Sequence, residues 1–247
     1  MRLMKPTIWM VASCALGSLL APLAQAQNEQ VARMEAAGSS PGRPLEDKAR
    51  DAARKPIPTV QFLGIETGDT VIDVIAAGGW FTEVLSAAVG PSGKVLAQNP
   101  DFFVSQPNFA ATEKARHDRL GNVQAVHGEL AAAGIVAQAD AAVTALNLHD
   151  VYGQGGEAAA VAFAKGVYDA LKPGAVFGVI DHVGIEGQNN AQLHRIQIAQ
   201  ARDVLTKAGF RIEAEADILE NPGDDHTKPV FQLAGRTDQF LIRARKP

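Results

Sequence analysis

Beyond residue 70 the chain alternates between two periods. Short β-branched or apolar runs predict strands over 70–75, 94–98, 122–127, 141–148, 175–181, 211–218 and 240–244. Between them, stretches of helical spacing predict helices over 80–89, 109–120, 157–171 and 190–208. Gly90-Pro91 closes the first helix, and Leu171-Lys172-Pro173-Gly174 joins the third to a strand, with Pro173 and Gly174 suited to the middle of a type II turn. Strands that alternate with helices imply βαβ units and a mostly parallel sheet. The near-continuous apolar character of 71–75 and 175–180 fits strands buried on both faces. No helix separates the last two strands, so they should pair antiparallel at one sheet edge. This is an α/β doubly wound pattern, in one unit spanning 45–247.

The N-terminal part has another character. Arg2 and Lys5 are followed by an apolar stretch from Ile8 to Leu20 and by Ala24-Gln25-Ala26, a small-x-small site. This is the layout of a secretory signal peptide, residues 1–26, and places the mature protein in the periplasm or outside the cell. Val11-Ala12-Ser13-Cys14 also resembles a lipoprotein processing site, but the apolar run continues past Cys14 and the later site is the better one. Residues 27–44 are small and polar and read as a flexible leader. Residues 45–54 are helix-compatible, and Pro56 and Pro58 stop them.

Cleavage after Ala26 removes Cys14, the only cysteine, and with it any disulfide or thiolate chemistry. It also removes Arg2 and Lys5, so the net charge of −4 becomes −6. The longest basic run is Arg243-Ala244-Arg245-Lys246, which argues against nucleic acid or an anionic membrane as partner and leaves a small molecule. Nothing in the sequence specifies an oligomeric state.

The first βα turn, Asp73-Val74-Ile75-Ala76-Ala77-Gly78-Gly79-Trp80, runs a strand into a helix through tiny residues. Such a turn lets a ligand approach the backbone and the helix N-terminus, or is simply a tight connection. With the order of elements, it resembles the class I S-adenosylmethionine-dependent methyltransferases over residues 56–247. A closer resemblance is to a bacterial group of exported predicted methyltransferases. It is carried by Arg50-Asp51-x-x-Arg54, Asn147-Leu148-His149-Asp150, Asp181-His182, Leu193-His194-Arg195, Asn221-Pro222-x-Asp224-Asp225 and Arg236-Thr237-Asp238-x-Phe240.

The resemblance implies a Rossmann-like sheet of order 3-2-1-4-5-7-6 with strand 7 antiparallel, S-adenosylmethionine as cofactor, and methyl transfer to a small acceptor. It assigns Asp73, Ala76, Ala77, Gly78, Gly79, Asn99, Glu129 and Asn147 to the cofactor. The usual glycine loop is only partly kept. Gly79 matches its last glycine, while Ile75 and Ala77 stand at the other two. At the end of strand 2, where the family carries an acid for the ribose, the chain has Asn99, with Asp101 nearby. An amide lacks the charge and the two-oxygen grip of a carboxylate. Glu129 falls where the family often reads the adenine, or is an ordinary helix-start acid.

In that sheet order strands 4 and 5 are neighbours, so His149, Asp150, Asp181 and His182 should meet at the carboxyl rim where α/β sheets bind ligands. A histidine held by a carboxylate is a competent general base near neutral pH. The same groups could hold a divalent metal, but no compact spacing such as H-x-x-x-H occurs, so acid/base or ligand-positioning roles take precedence and no metal is assigned. His194 and Arg195 sit near the same edge as candidate substrate contacts. There Arg195 would clamp a carboxylate or phosphate, or form a surface ion pair. Residues 219–236 form a candidate lid, and His117 reads as solvated. The alternatives to a methyltransferase are an exported ligand-binding protein that has lost methyl transfer, or another His/Asp-based enzyme.

Overall fold

The computed structural model describes residues 17–247, with side chains from residue 24. Most of the predicted signal segment therefore lies outside the described residues. The chain opens with three helices, α1 (Gly17–Ser39), α2 (Leu45–Arg54) and α3 (Pro56–Leu63). It then runs β1 (Thr70–Val74), α4 (Trp80–Val89), β2 (Lys94–Asn99), α5 (Asp101–Val104), α6 (Phe109–Leu120), β3 (Val123–His127), β4 (Ala139–Ala145) and α7 (Leu148–Ala170). It closes with β5 (Leu171–His182), α8 (Asn190–Leu193), α9 (Ile198–Lys207), β6 (Arg211–Ala216) and β7 (Gln239–Arg245).

The seven strands form one sheet of order β3-β2-β1-β4-β5-β7-β6. All pairings from β3 to β5 are parallel, and β7 is antiparallel to both β5 and β6. Side chains alternate across the sheet as strand geometry demands. Ile72 and Val74 of β1, with Phe177 and Val179 of β5, pack under α7 and α9. Val71, Val176 and Ile180 face α3 and α4. Gly178 lets α3 approach the sheet, because an added Cβ there would lie 2.6 Å from Leu63 Cδ2. Gly174, at φ +80°, takes the left-handed position of a type II turn after Pro173.

Several local expectations are corrected. The stretch read as a flexible leader, 27–44, is helical through Ser39 and packs on α4. Gln30 is buried and donates to the Ile65 and Ala88 carbonyls at 2.8 and 3.2 Å, and Met34 joins the core. Its polar residues are there to satisfy carbonyls at the ends of other helices, which composition cannot tell from solvation. The compact unit therefore begins before residue 45. The helix over 45–54 ends at Arg54 as expected, and Pro56 then starts a separate helix, α3, since proline is tolerated at a first helical position. The fourth strand stops at Ala145 instead of 148, and α7 begins at Leu148 instead of 157, with a kink at Gly156 (φ 72°). The helix expected over 190–208 is broken into α8 and α9 by His194, which adopts φ 55°.

Candidate functional site

The turn after β1 keeps an unusual backbone. Ile75, Ala77 and Gly79 have φ of 57°, 47° and 78°. The left-handed region costs an L-residue about 1–2 kcal/mol, and a β-branched side chain such as Ile75 is a genuine outlier there. The surroundings hold the turn in place. Gln98 takes the Ile75 N–H on its Oε1 at 3.0 Å and the Ala76 N–H on its carbonyl at 2.9 Å. Asn99 Oδ1 accepts from Ala77 N at 2.7 Å. Asn147 Nδ2 donates to the Ile75 carbonyl at 3.3 Å from the other side. Asn99 and Asn147 thus brace the turn from behind.

Asp73 does not face the groove. It is buried, accepts from Thr82 Oγ1 at 2.6 Å, and locks the first turn of α4 to β1. Burial pushes its carboxyl up to about 6, against the lowering effect of the Thr82 hydrogen bonds.

The groove beside the turn is narrow. Ala76–Gly79, Asn99, Glu113 and Arg116 line a cleft of about 40 Å³. α6 lies across it, and a Cβ added at Gly79 would come 2.7 Å from Arg116 Cδ. Arg116 is anchored by Glu83 at 2.7 Å and Asp47 at 2.8 Å. A nucleoside-sized ligand needs a site of roughly 300 Å³ or more, so α6 must move aside to admit one. At the end of β2, Glu113 bonds His127 Nε2 at 2.8 Å and accepts from Asn99 Nδ2 at 3.4 Å, while Asp101 and Glu129 are exposed. Neither Asn99 nor Asp73 brings a carboxylate into the groove.

The expected meeting of β4 and β5 at the rim is present. Asp181, fully buried, accepts three hydrogen bonds: His149 N at 2.9 Å, His149 Nδ1 at 2.6 Å and His182 N at 2.7 Å. It caps the start of α7 and turns His149 Nε2 outward, 3.4 Å from Asp150 Oδ1. His194 Nδ1 meets the same Asp150 oxygen at 2.9 Å. The His149 ring centroid lies 5.5 Å from that of His182 and 5.6 Å from that of His194. Burial lowers the basicity of His149, but the Asp181 charge and hydrogen bond outweigh it and hold its pKa above the ordinary value. His182 is pushed down to about 4, chiefly by burial, and its Nδ1 has no partner among the described residues. Asp181 thus favours the charged form of His149, while burial disfavours that of His182.

No protein-family model matches the chain, and no curated protein matches it in sequence. Solved structures do match. An S-adenosylmethionine-dependent methyltransferase of Aquifex aeolicus is similar at TM-score 0.56 and 18% identity, over 79% of this chain and 97% of that one. Fibrillarin of Aeropyrum pernix, with S-adenosylmethionine bound, is similar at TM-score 0.52 and 14% identity, over 79% and 76%. A possible exported protein of Bordetella parapertussis is similar at TM-score 0.51 and 16% identity, over 81% and 68%. The chain has the fold of the S-adenosylmethionine-dependent methyltransferases.

Within this methyltransferase fold, one expected substrate contact is corrected. Arg195 does not reach the solvent edge. It is buried, and all five of its N–H groups are taken: by both Asp224 oxygens at 2.9 Å, by the Val183 carbonyl at 2.9 Å, and by the Lys228 carbonyl at 3.3 and 3.1 Å. It ties the candidate lid to the sheet edge. His226–Asp238 at 2.9 Å and Asn221–Arg236 at 2.6 Å tie the lid further, so it is a strapped loop and no free flap.

Sequence reasoning also missed Arg54 as a site residue. Its guanidinium stacks 4.8 Å from the Trp80 ring and lines a small cavity with Leu146, Ile180 and Gln239. The quoted Arg50-Asp51-x-x-Arg54 pattern was the available signal. Arg116 and Glu83 carried none, because the buried ion pair joins helices that are far apart in the sequence.

Proposed function

We propose that the protein is an exported S-adenosylmethionine-dependent methyltransferase acting on a small acceptor. The observation that carries the reading is the strained turn. Ile75 and Ala77 hold positive φ at the two positions where the family has glycine, and strain of this kind persists where the surroundings over-determine a functional conformation.

Ala76 to Gly79 would hold the cofactor, with Glu113 and Glu129 available to its hydroxyl and amino groups. When bound, S-adenosylmethionine supplies an electrophilic methyl group on a sulfonium. Asp73, Asn99 and Asn147 act through the turn as positioning residues. Across the sheet rim, His149, Asp150 and His194 would meet the acceptor, whose oxygen or nitrogen must shed a proton as it takes the methyl. Asp181 keeps His149 in one orientation, and burial disfavours the charged form of His182. The signal-like N-terminus and the likeness to a possible exported protein support an extracytoplasmic location. No described helix is long and apolar enough to cross a membrane.

Calorimetric titration with S-adenosylmethionine and its demethylated product tests the reading. Gly78 is the variant site, since its φ is ordinary and an added Cβ meets nothing within 4 Å. Wild type should bind at micromolar concentration, and Gly78→Tyr should bind at least about tenfold more weakly with unchanged melting. Absence of binding of either ligand to wild type overturns the proposal.

A further inference from the structure

The His/Asp rim carries more than an orientation for one imidazole. His149, Asp150 and His194 each offer a ligand atom, and the three atoms lie within 4.8 Å of one another. We propose that these residues form a binding site for a divalent transition-metal cation of the zinc class, a property that stands whether or not the cofactor binds.

Four observations support it. The first is spacing. Donors about 2.0–2.2 Å from a common tetrahedral ion stand roughly 3.3–3.6 Å apart. His149 Nε2 is 3.4 Å from Asp150 Oδ1, and His194 Nδ1 is 2.9 Å from that oxygen. Small side-chain rotations open the second contact and seat an ion.

The second is the support behind the ligands. Asp181 occupies His149 Nδ1 at 2.6 Å and so leaves Nε2 as the free donor. A carboxylate behind a ligating imidazole fixes its tautomer and raises its basicity, the usual arrangement around bound metals. Asp181 is itself fixed by two backbone N–H groups and complete burial.

The third is access. The side chains of His194 and Asp150 are 43% and 44% exposed, while His149 is buried. Three protein ligands with one solvent-facing side leave a coordination position open, as in catalytic sites and unlike closed structural ones. The fourth is the unpartnered ring beside them. His182 is 7% exposed, its Nδ1 has no partner among the described residues, and its centroid is 5.5 Å from that of His149.

Two imidazoles and one carboxylate suit zinc, cobalt, nickel or ferrous iron. Magnesium and calcium prefer all-oxygen shells. The ligands escape a spacing search because His149 and Asp150 are adjacent, whereas His194 is brought in by the break between α8 and α9. An ion here would sit at the carboxyl ends of β4 and β5, where it could take an acceptor oxygen as its open ligand.

The experiment uses the full, untagged chain, stripped with chelator and dialysed, without S-adenosylmethionine. Zinc is titrated by calorimetry and cobalt by visible absorption, with magnesium as the contrast. One zinc per chain at micromolar affinity or tighter is expected, with cobalt bands of low-coordinate character. His194→Ala and Asp150→Asn should weaken zinc at least about tenfold, and Asp181→Asn, which leaves all three ligands, by about 10–100-fold. Zinc should raise the melting temperature of wild type and not of His194→Ala, a readout that exposes any variant that fails to fold. Failure of wild type to bind zinc or cobalt overturns the proposal. So does unchanged affinity in folded His194→Ala, or magnesium binding as tightly as zinc. Cofactor titrations play no part in any of these outcomes, so the methyltransferase reading stands or falls separately.

Discussion

Replacing Arg195 by methionine should cost the protein several kcal/mol. The Arg195 and Asp224 side chains are 0% and 1% exposed, so the pair is screened by neither water nor salt. Methionine fills much of the stem volume, and the loss is therefore electrostatic rather than a cavity. It strands the Asp224 carboxylate with only the backbone N–H groups of His226 at 3.0 Å and Asp238 at 2.8 Å, and frees the Val183 and Lys228 carbonyls. Removing one partner of a buried ion pair costs about 3–5 kcal/mol. For a domain of this size that corresponds to a fall in melting temperature of roughly 6–20 °C. Urea unfolding at pH 7 measures it.

The double variant Arg195→Met/Asp224→Asn should recover about 1–2 kcal/mol, because a neutral amide is cheaper to bury than an unpaired carboxylate. The sign with pH follows. Burial raises the Asp224 pKa, but the Arg195 and backbone hydrogen bonds more than offset this and hold it below the ordinary value. Its stabilisation is thus present above the unfolded carboxyl value near 4 and is lost as pH falls through the depressed one. The gap between wild type and Arg195→Met should narrow on acidification. A loss below about 1 kcal/mol at pH 7, or no recovery in the double variant, would refute the reading of Arg195 as the strap that holds residues 219–236.

Two further outcomes follow from the turn. Ala77→Gly relieves a left-handed alanine worth about 1–2 kcal/mol, against an entropic cost of about 0.5–1 kcal/mol for glycine. It should leave the protein equally stable or up to about 1.5 kcal/mol more stable, and a clear drop in melting temperature would show that Ala77 is unstrained. Asp73 titrates near 6 in the folded chain because it is buried. Since that exceeds the unfolded value, stability should fall by about 3 kcal/mol as pH rises from roughly 4 to 6. Asp73→Asn should lack that component, and identical pH profiles in denaturant melts would contradict it.

The parts of the fold that repeat a local rule were legible along the chain. Short β-branched or near-continuous apolar runs separated by helical spacing specify the strands, and the missing helix between the last two specifies their antiparallel pairing, which β6 and β7 show. The full strand order came with the family resemblance, and the sheet has it. The meeting of His149 with Asp181 and His182 followed from that order, since adjacent parallel strands bring their carboxyl ends together. Other features needed the tertiary structure, because each depends on partners distant in sequence. A run of Gln, Arg and Met in 27–39 reads as solvated until α4 offers carbonyls and an apolar face to it. His194 lies at the rim and its neighbour Arg195 is buried, because a backbone turn at φ 55° sends one outward and the other into the core. Composition names the groups able to ionise or ligate. Burial and the partner across the fold decide which become struts, which stay open, and where their charge is stable.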